Sequence, residues 1–266
     1  MLVDTRCGRL FVEVVGTGPD IVLWHSLLCD GGMWLGQVRG LSERYRLINI
    51  DGPGHGRSGL LRRGFSLADC VEAAVTVLDA VGAERVAWCG LSWGGMVGMR
   101  FALRHRERLA ALVLMDTSAR AEALEKRLAY RALATIARTV GPRRPLARVL
   151  APIFFSPQTR RDKPQMVERF VESVSHMDRV SLGHAVDAVI FDRTDISDEI
   201  RHVDVRTLVL VGEEDRATPP REAELITRQI PGAELATIPE AGHLSALEQP
   251  GAVNAQLERF LSAHVA

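Results

Sequence analysis

The sequence has few lysines, few cysteines and no long hydrophobic run. Only two of its 33 basic residues are lysines, Lys126 and Lys163, and 33 acidic residues balance the basic ones. A net charge of zero argues against a dedicated nucleic-acid-binding protein, which is normally basic. It also argues against an acidic disordered chain. With 47% hydrophobic residues, the composition is that of a globular protein with a sizeable core.

The cysteines and the apolar runs exclude several further classes. Cys7, Cys29, Cys70 and Cys89 form no C-x-x-C pair, and a 266-residue chain does not depend on disulfides for its core. The longest apolar run, Leu109–Met115, is far shorter than the roughly 20 residues of a membrane helix. The first residues lack the pattern of a signal peptide. We therefore expect a cytoplasmic protein without membrane or nucleic-acid partners.

Short apolar segments alternate with helical periodicity along most of the chain. In the segment 67–81, apolar residues recur with the spacing of a buried helix face, with Ser66 as the N-cap and Gly82 just beyond the end. Continuous apolar strands between helices predict an α/β fold with a mostly parallel central sheet flanked by helices. We predict strands at 10–15, 21–24, 45–50, 85–89, 111–115, 207–211 and 234–238, and further helices at 95–104, 223–230 and 252–263.

Residues 120–200 break this alternation, because they contain no convincing strand. Helical stretches at 124–140 and 166–174 are separated by prolines. About 80 residues are too many for a structureless loop inside a compact domain. We predict a helical cap at 120–200, inserted between two core strands, and a core formed by 1–119 and 201–266. The alternative is that these helices simply extend the core.

Ser92 is the candidate nucleophile. It lies in a G-x-S-x-G motif at residues 90–94, after a predicted strand and before a helical segment, which is the context that this motif requires. A serine hydroxyl is a poor nucleophile, so a sharp turn must present it to a base. The backbone N–H groups at the start of the following helix point at developing negative charge. We therefore expect the Trp93 N–H to be one donor of an oxyanion hole.

Asp215 and His243 are the candidates for the acid and the base. Glu213, Glu214 and Asp215 follow a predicted strand, at the sheet edge where α/β proteins bind ligands. We select Asp215 because it precedes a new turn, and we expect the two glutamates to be solvated. The order Ser92, Asp215, His243 matches one hydrolase architecture. His243 would remove the Ser92 proton, and Asp215 would fix the tautomer of the imidazole.

These residues make the sequence resemble the α/β-hydrolase superfamily over nearly its whole length. Residues 51–58 resemble the glycine-rich loop of that family, and Arg57 at the position of a third glycine excludes a dinucleotide-binding fingerprint. The nearest resemblance is to 3-oxoadipate enol-lactonases and related small esterases. It is carried by residues 25–27, 90–95, 218–220, 241–245 and 247–250. Trp93 stands where a methionine is usual.

The resemblance also implies the second oxyanion donor. Many family members have His-Gly after the strand that ends near residue 24, and this chain has His25 and Ser26 there. By comparison of the motif, the Leu27 N–H joins that of Trp93, with Leu28 or Ser26 as the alternative donor. We expect His25 to shape this loop rather than to transfer protons.

The resemblance implies a serine hydrolase that cleaves a carboxylic ester or lactone of a small to medium, partly apolar substrate through an acyl-enzyme on Ser92. Serine in place of aspartate argues against haloalkane dehalogenases and epoxide hydrolases, but thioesterase, C–C bond hydrolase and perhydrolase chemistry stay open. A catalytically idle receptor for a small hydrophobic ligand is the alternative of a different class. We expect no cofactor and no metal, since the histidines form no H-x-x-x-H or H-E-x-x-H motif. The sequence assigns no substrate contacts and leaves a homodimer open.

The zero net charge conceals a polarised insertion. Residues 120–163 contain 11 basic and 3 acidic residues, whereas residues 164–204 contain 9 acidic and 4 basic ones. The two parts either pair with each other, which contributes little to stability at a surface, or form a basic rim that steers a substrate carrying a carboxylate.

Overall fold

In the computed structural model, which describes residues 1–265, eight strands form a single sheet in the order β1-β2-β4-β3-β5-β6-β7-β8. The pairs β1–β2 and β2–β4 are antiparallel, and every other neighbouring pair is parallel. The predicted mostly parallel sheet is therefore confirmed. The strands are β1 (Leu2–Thr5), β2 (Gly8–Val15), β3 (Asp20–Trp24), β4 (Arg46–Ile50), β5 (Val86–Leu91), β6 (Leu109–Met115), β7 (Thr207–Gly212) and β8 (Glu234–Ile238).

Helices flank this sheet. The core helices are α1 (Leu35–Leu41), α2 (Leu67–Ala80), α3 (Trp93–Arg104), α9 (Pro220–Gln229), α10 (Ser245–Glu248) and α11 (Pro250–His264). The predicted start of α2 is correct, because the Ser66 hydroxyl accepts a hydrogen bond from the Asp69 N–H while the Asp69 carboxylate accepts one from the Ser66 N–H. Gly82 follows this helix with φ +68°, a conformation that favours glycine.

The central strands carry no alternation because both of their faces are covered. Every residue of β5 and β7 is buried, as expected for parallel strands between helical layers. Each of the seven predicted strands is present. No pattern in the sequence predicts β1, a four-residue edge strand with one buried side chain, or α1, a seven-residue helix that contains two glycines.

Five α-helices, a π-helix (Asp187–Phe191) and a 3-10 helix (Glu199–His202), but no strand, lie between β6 and β7 in the described chain. The α-helices are α4 (Leu124–Val140), α5 (Arg144–Phe154), α6 (Pro157–Asp162), α7 (Pro164–Ser175) and α8 (Arg179–Val186). The bounds of α4 coincide with the predicted helical stretch 124–140. The insertion of helices between two core strands follows the predicted fold class, whereas the division at residues 120 and 200 stays a prediction. None of the helices within residues 1–265 has the length and apolar character of a membrane span.

The basic and acidic parts of the insertion pair with each other. Arg144 of α5 forms ion pairs with Glu168 and Glu172 of α7, and Arg138 of α4 pairs with Asp187 after α8. The two arginine side chains remain more than 40% exposed, so solvent screens these pairs and each contributes little to stability. Pairing between the two parts thus accounts for Arg138 and Arg144, whereas the exposed Arg131 and Arg143 have no carboxylate partner among the described residues.

Candidate active site

Ser92 occupies a sharp turn between the end of β5 and the start of α3. Its backbone has φ 54° and ψ −108°, a conformation that L-residues rarely adopt. The neighbouring glycines are required by close approach. A Cβ at Gly94 would lie 2.0 Å from the Trp24 carbonyl oxygen, and one at Gly90 would lie 2.2 Å from the Gly94 carbonyl oxygen. The turn thus presents the hydroxyl at the carboxyl edge of the sheet.

Ser92, His243 and Asp215 form a continuous chain of hydrogen bonds. The Ser92 Oγ lies 2.9 Å from His243 Nε2, and His243 Nδ1 lies 2.9 Å from Asp215 Oδ2 and 3.1 Å from Oδ1. All three residues are buried, with exposures of 6%, 2% and 4%. With the proton on Nδ1, the imidazole donates to the carboxylate and accepts from the serine hydroxyl. Three residues that are far apart in the sequence therefore meet at the carboxyl edge of the sheet.

Asp215, rather than either neighbouring glutamate, reaches the histidine. The Asp215 carboxylate accepts hydrogen bonds from the Ala217 N–H at 2.8 Å, the Thr218 N–H at 3.0 Å and the Thr218 hydroxyl at 2.9 Å. Glu213 is exposed and Glu214 is half-buried. The turn after β7 thus points the Asp215 carboxylate inward and orients both of its oxygens.

The pKa of His243 reflects two opposing effects. Burial lowers the pKa of the imidazole, but the charge of Asp215 and its hydrogen bond raise it more, so that the pKa lies above its ordinary value of 6.5. A raised pKa means that the site stabilises the imidazolium form. This is the form that a general base acquires when it removes a proton.

Asp116 is a buried carboxyl group that no motif in the sequence predicts. It directly follows β6 and is fully buried, with Oδ1 accepting from the Gly212 N–H at 2.7 Å. Its Oδ2 accepts from the Ser245 N–H at 3.1 Å and shares a 2.5 Å hydrogen bond with Ser245 Oγ. Burial and the negative charge of Asp215 raise the pKa of Asp116 to about 8. Asp116 joins the ends of β6 and β7 to the chain after His243. The sequence contains one sign of this role, because Asp116 is a charged residue directly after the entirely apolar strand β6.

The loop after β3 offers one free backbone donor. The Ser26 N–H lies 3.5 Å from Met33 Sδ, and the Leu28 N–H lies 3.4 Å from His55 Nε2. Within residues 1–265, the Leu27 N–H has no hydrogen-bond acceptor, and neither does the Trp93 N–H at the first position of α3. The engaged donors are those of the two alternatives, Ser26 and Leu28.

Two buried histidines hold this loop in place. His25 Nδ1 donates to the Ser26 carbonyl oxygen at 2.7 Å, and its Nε2 accepts from the Gly52 N–H at 2.7 Å. His55 Nδ1 donates to the Pro53 carbonyl oxygen at 2.9 Å. Burial lowers the pKa of both imidazoles, that of His55 to about 3. Both rings pack against the buried Trp93 side chain. The hydrogen bonds of His25 and His55 therefore hold the backbone of the two loops in position.

Backbone strain is concentrated at this edge of the sheet. Among residues 1–265, the non-glycine residues with positive φ are Leu28, Ser92, Asp116 and Glu240. They follow β3, β5, β6 and β8, respectively. Unfavourable backbone conformations of this kind persist where the surrounding structure enforces them, and they cluster at functional sites.

A cavity of about 120 Å³ opens above Ser92 and His243. Most of its wall is apolar and comes from the inserted helices, including Leu133, Leu146, Leu150, Ile153, Phe154 and Val189. Such a space suits an apolar group attached to the reacting carbonyl carbon.

The cavity has one polar corner, formed by Glu122, Tyr130 and Arg193. The Arg193 guanidinium pairs with the Glu122 carboxylate at 3.1 Å, and their side chains are 4% and 10% exposed. Burial and the Glu122 charge raise the pKa of Tyr130 to about 12. Within the described residues, the Tyr130 hydroxyl has no hydrogen-bond partner. The corner thus has a compensated charge pair and one free phenol.

The described part of the chain brings together no three His, Cys, Asp or Glu side chains in a grouping that could hold a metal ion. Of the cysteines, Cys29 is half-buried and the others are buried. Burial raises the pKa of the Cys29 and Cys89 thiols, which disfavours the reactive thiolate.

Comparison with known proteins places the chain in a family. Residues 19–250 match the model of the alpha/beta hydrolase fold. A thermophilic esterase from Thermogutta terrifontis is 30% identical with a TM-score of 0.93, over 100% of this chain and 99% of that one. The enol-lactonase from Burkholderia xenovorans LB400 is 27% identical with a TM-score of 0.91, over 98% and 100%. The 3-oxoadipate enol-lactonase 2 of Acinetobacter baylyi is 25% identical over 243 residues, 91% of this chain and 88% of that protein. The resemblance inferred from the sequence is thus confirmed, and the protein belongs to the α/β-hydrolase fold family.

Proposed function

We propose that the protein is a serine hydrolase that cleaves esters or lactones of small to medium substrates. The acyl part of these substrates is largely apolar and carries no charged group. The observation that carries the proposal is the unbroken hydrogen-bond chain from Ser92 through His243 to Asp215, which lies beneath an apolar cavity. The esterase and enol-lactonase relatives support ester and lactone chemistry.

In the first step, His243 Nε2 removes the Ser92 proton while Oγ attacks the carbonyl carbon. The Asp215 carboxylate accepts from Nδ1–H and stabilises the imidazolium that forms. The negative charge that develops on the carbonyl oxygen is held by the two N–H groups without acceptors, those of Leu27 and Trp93. Such donors act mainly on the transition state, because charge develops only there.

In the second step, the imidazolium returns its proton to the leaving alkoxide, and the acyl group remains on Ser92. His243 then removes a proton from a water molecule that attacks the carbonyl carbon of the acyl-enzyme. The imidazolium returns this proton to Ser92 Oγ as the bond between that oxygen and the acyl carbon breaks, and the acid product leaves. A lactone follows the same course, except that the leaving hydroxyl stays attached to the acyl group.

The uncharged nature of the acid follows from the cavity wall. The charged side chains Arg193 and Glu122 that line the cavity already neutralise each other. Outside the cavity, Arg138 pairs with Asp187, and Arg144 pairs with Glu168 and Glu172. A substrate carboxylate would therefore lose its hydration without gaining a free cation, which is unfavourable. The name of the Acinetobacter relative indicates a lactone of a dicarboxylic acid, and we propose a different preference here.

The test is hydrolysis of p-nitrophenyl acetate and butyrate by the wild type, Ser92→Ala and the control Ser262→Ala, which changes an exposed serine of α11. We expect hydrolysis in the wild type and the control only. Each buried CH₂ contributes about 0.8 kcal/mol, so the butyrate should exceed the acetate roughly tenfold in kcat/KM. Absence of Ser92-dependent hydrolysis and of Ser92 labelling by a phosphonate would overturn the proposal and favour an idle receptor. Comparison of kcat/KM for these esters with that for lactones of matched size then decides whether the enzyme prefers an ester or a lactone.

A further inference from the structure

Glu248, the last residue of α10, is a fully buried carboxylate with no part in the proposed reaction steps. Its Oε1 accepts hydrogen bonds from the N–H groups of Gly242 at 2.9 Å and Leu244 at 3.3 Å. Its Oε2 accepts from the Ser156 N–H at 2.9 Å. One oxygen thus holds the chain on both sides of His243, and the other holds the inserted helices.

Further bonds join the same two segments. The His243 N–H donates to the Phe154 carbonyl oxygen at 3.0 Å, and the Ser156 hydroxyl donates to the Glu240 carbonyl oxygen at 3.0 Å. The Phe154 ring meets the His243 ring edge-on, with centroids 5.3 Å apart. Phe154 also lines the cavity. The wall of the cavity and the loop of the candidate base are therefore connected as one unit.

A carboxylate is suited to this place for a physical reason. Burial of a charged group is unfavourable unless hydrogen bonds compensate it, so a side chain needed only for packing would be apolar. A carboxylate has two oxygens that both accept, and it can therefore satisfy N–H groups from two separate segments at once. An amide of the same shape has one accepting atom and one donating atom, and it cannot do this.

We propose that Glu248 is a positioning residue that holds the His243 imidazole in line with Ser92 and fixes the cavity wall at Phe154 relative to it. This inference rests on the function proposed above. It follows that occupancy of the cavity and the position of the base are mechanically linked, because an acyl group that contacts Phe154 presses on the segment bonded to His243.

The first variant is Glu248→Gln. Its single accepting oxygen leaves either Ser156 or the pair Gly242 and Leu244 facing an NH₂ group. A misplacement of about 1 Å near the reacting atoms can lower a rate roughly a hundredfold, so we expect kcat to fall tenfold to a hundredfold with little change in KM.

The pH profile of the same variant gives a second measurement. The acidic groups acting on His243 are Asp215, Asp116 and Glu248, and each raises the pKa of the imidazole when it is ionised. Loss of the Glu248 charge should therefore move the acid limb of kcat/KM to lower pH. A residue that served only for packing would leave this limb in place.

A matched pair at Ser156 tests the link with the carboxylate retained. Ser156 has φ −59° and follows Phe155 with ψ 143°, and both values are compatible with a proline at 156. Ser156→Pro removes the N–H and puts the ring Cδ against Glu248 Oε2, whereas Ser156→Ala removes only the hydroxyl. We expect kcat of the proline variant to be about tenfold below that of the alanine variant. Both variants should be folded by circular dichroism, with a lower Tm for the proline variant, because Oε2 loses a buried hydrogen bond.

Equal kcat values for the two Ser156 variants, with an unshifted acid limb in Glu248→Gln, would overturn the inference. If the wild type hydrolyses no ester through Ser92, the proposed function fails, and the positioning role is then tested without turnover. In that case the ¹⁵N–¹H signals of the His243 imidazole are compared between the wild type and Glu248→Gln. Loss of the Glu248 charge alone shifts the imidazole titration, so the signals are compared at a pH at which the imidazole is neutral in both proteins. A displaced Nδ1–H signal, which reports the hydrogen bond to Asp215, supports the positioning role, and an unchanged signal refutes it.

Discussion

Replacement of Ser92 by glycine should make the protein more stable than replacement by alanine. Both variants lose the hydroxyl and its hydrogen bond to His243, so this loss cancels in the comparison. The backbone at φ 54° and ψ −108° is unfavourable for alanine but accessible to glycine. The difference between the two variants therefore isolates the strain of the turn.

The expected magnitude is the balance of two contributions. Strain at a residue of this kind amounts to about 1–3 kcal/mol. The greater freedom of glycine in the unfolded chain opposes this by about 0.4–1 kcal/mol. The net difference is about 1 kcal/mol in favour of Ser92→Gly, which corresponds to a Tm that is higher by about 2–4 °C for a chain near this size.

Differential scanning calorimetry of both variants at one pH measures this difference. Ser262 in the exposed part of α11 supplies the control, because Ser262→Gly should be less stable than Ser262→Ala by about 1 kcal/mol. The order of glycine and alanine should thus be opposite at the two positions. A Ser92→Ala variant as stable as Ser92→Gly would refute the argument that the turn is strained.

Three further predictions concern pH, selectivity and stability. His243 must be neutral to act as a base, and its pKa is raised, so kcat/KM of the wild type should fall with decreasing pH along an acid limb above pH 6.5. Asp215→Asn should move this limb to lower pH and reduce kcat by about 10⁴-fold. Tyr130→Phe should lower the ratio of kcat/KM for p-nitrophenyl 4-oxopentanoate over the pentanoate by about tenfold, because one hydrogen bond is lost; an unchanged ratio would remove Tyr130 from substrate recognition. Arg193→Leu should decrease the free energy of unfolding by about 3 kcal/mol, because Glu122 then keeps, among the described residues, only the Lys126 ammonium at 4.0 Å and the Arg120 and Val189 carbonyl oxygens lose their donor. Glu122→Gln should decrease it less in the same urea titration.

The sequence predicted the parts of this molecule that depend on neighbouring residues. The helical period of residues 124–140 defines α4 without a shift, and the apolar runs identify the interior strands. Ser92 and His243 could be found because each stands beside glycines after a strand, in a recognisable order. These signals are local, so tertiary structure does not change their meaning.

The remaining parts depend on contacts between distant segments. Asp116 accepts hydrogen bonds from Gly212 and Ser245, which lie 96 and 129 positions further along the chain. Glu248 accepts one from Ser156, which lies 92 positions earlier. The choice of Leu27 over Leu28 depends on a bond to His55, 27 positions along the chain. No periodicity or spacing near these residues indicates which partners they will meet.

The long sequence separations within the site have a consequence for folding. The bond between Ser92 and His243 closes 151 residues of chain, and the entropy of such closure must be overcome before the contact forms. The backbone hydrogen bonds of the helices α2 to α4, by contrast, join residues only four positions apart. During refolding from urea, helical circular dichroism should therefore return before the site is assembled. Recovery of hydrolysis should be the slowest signal, and an intermediate with native helices and an open site is the species from which aggregation would start.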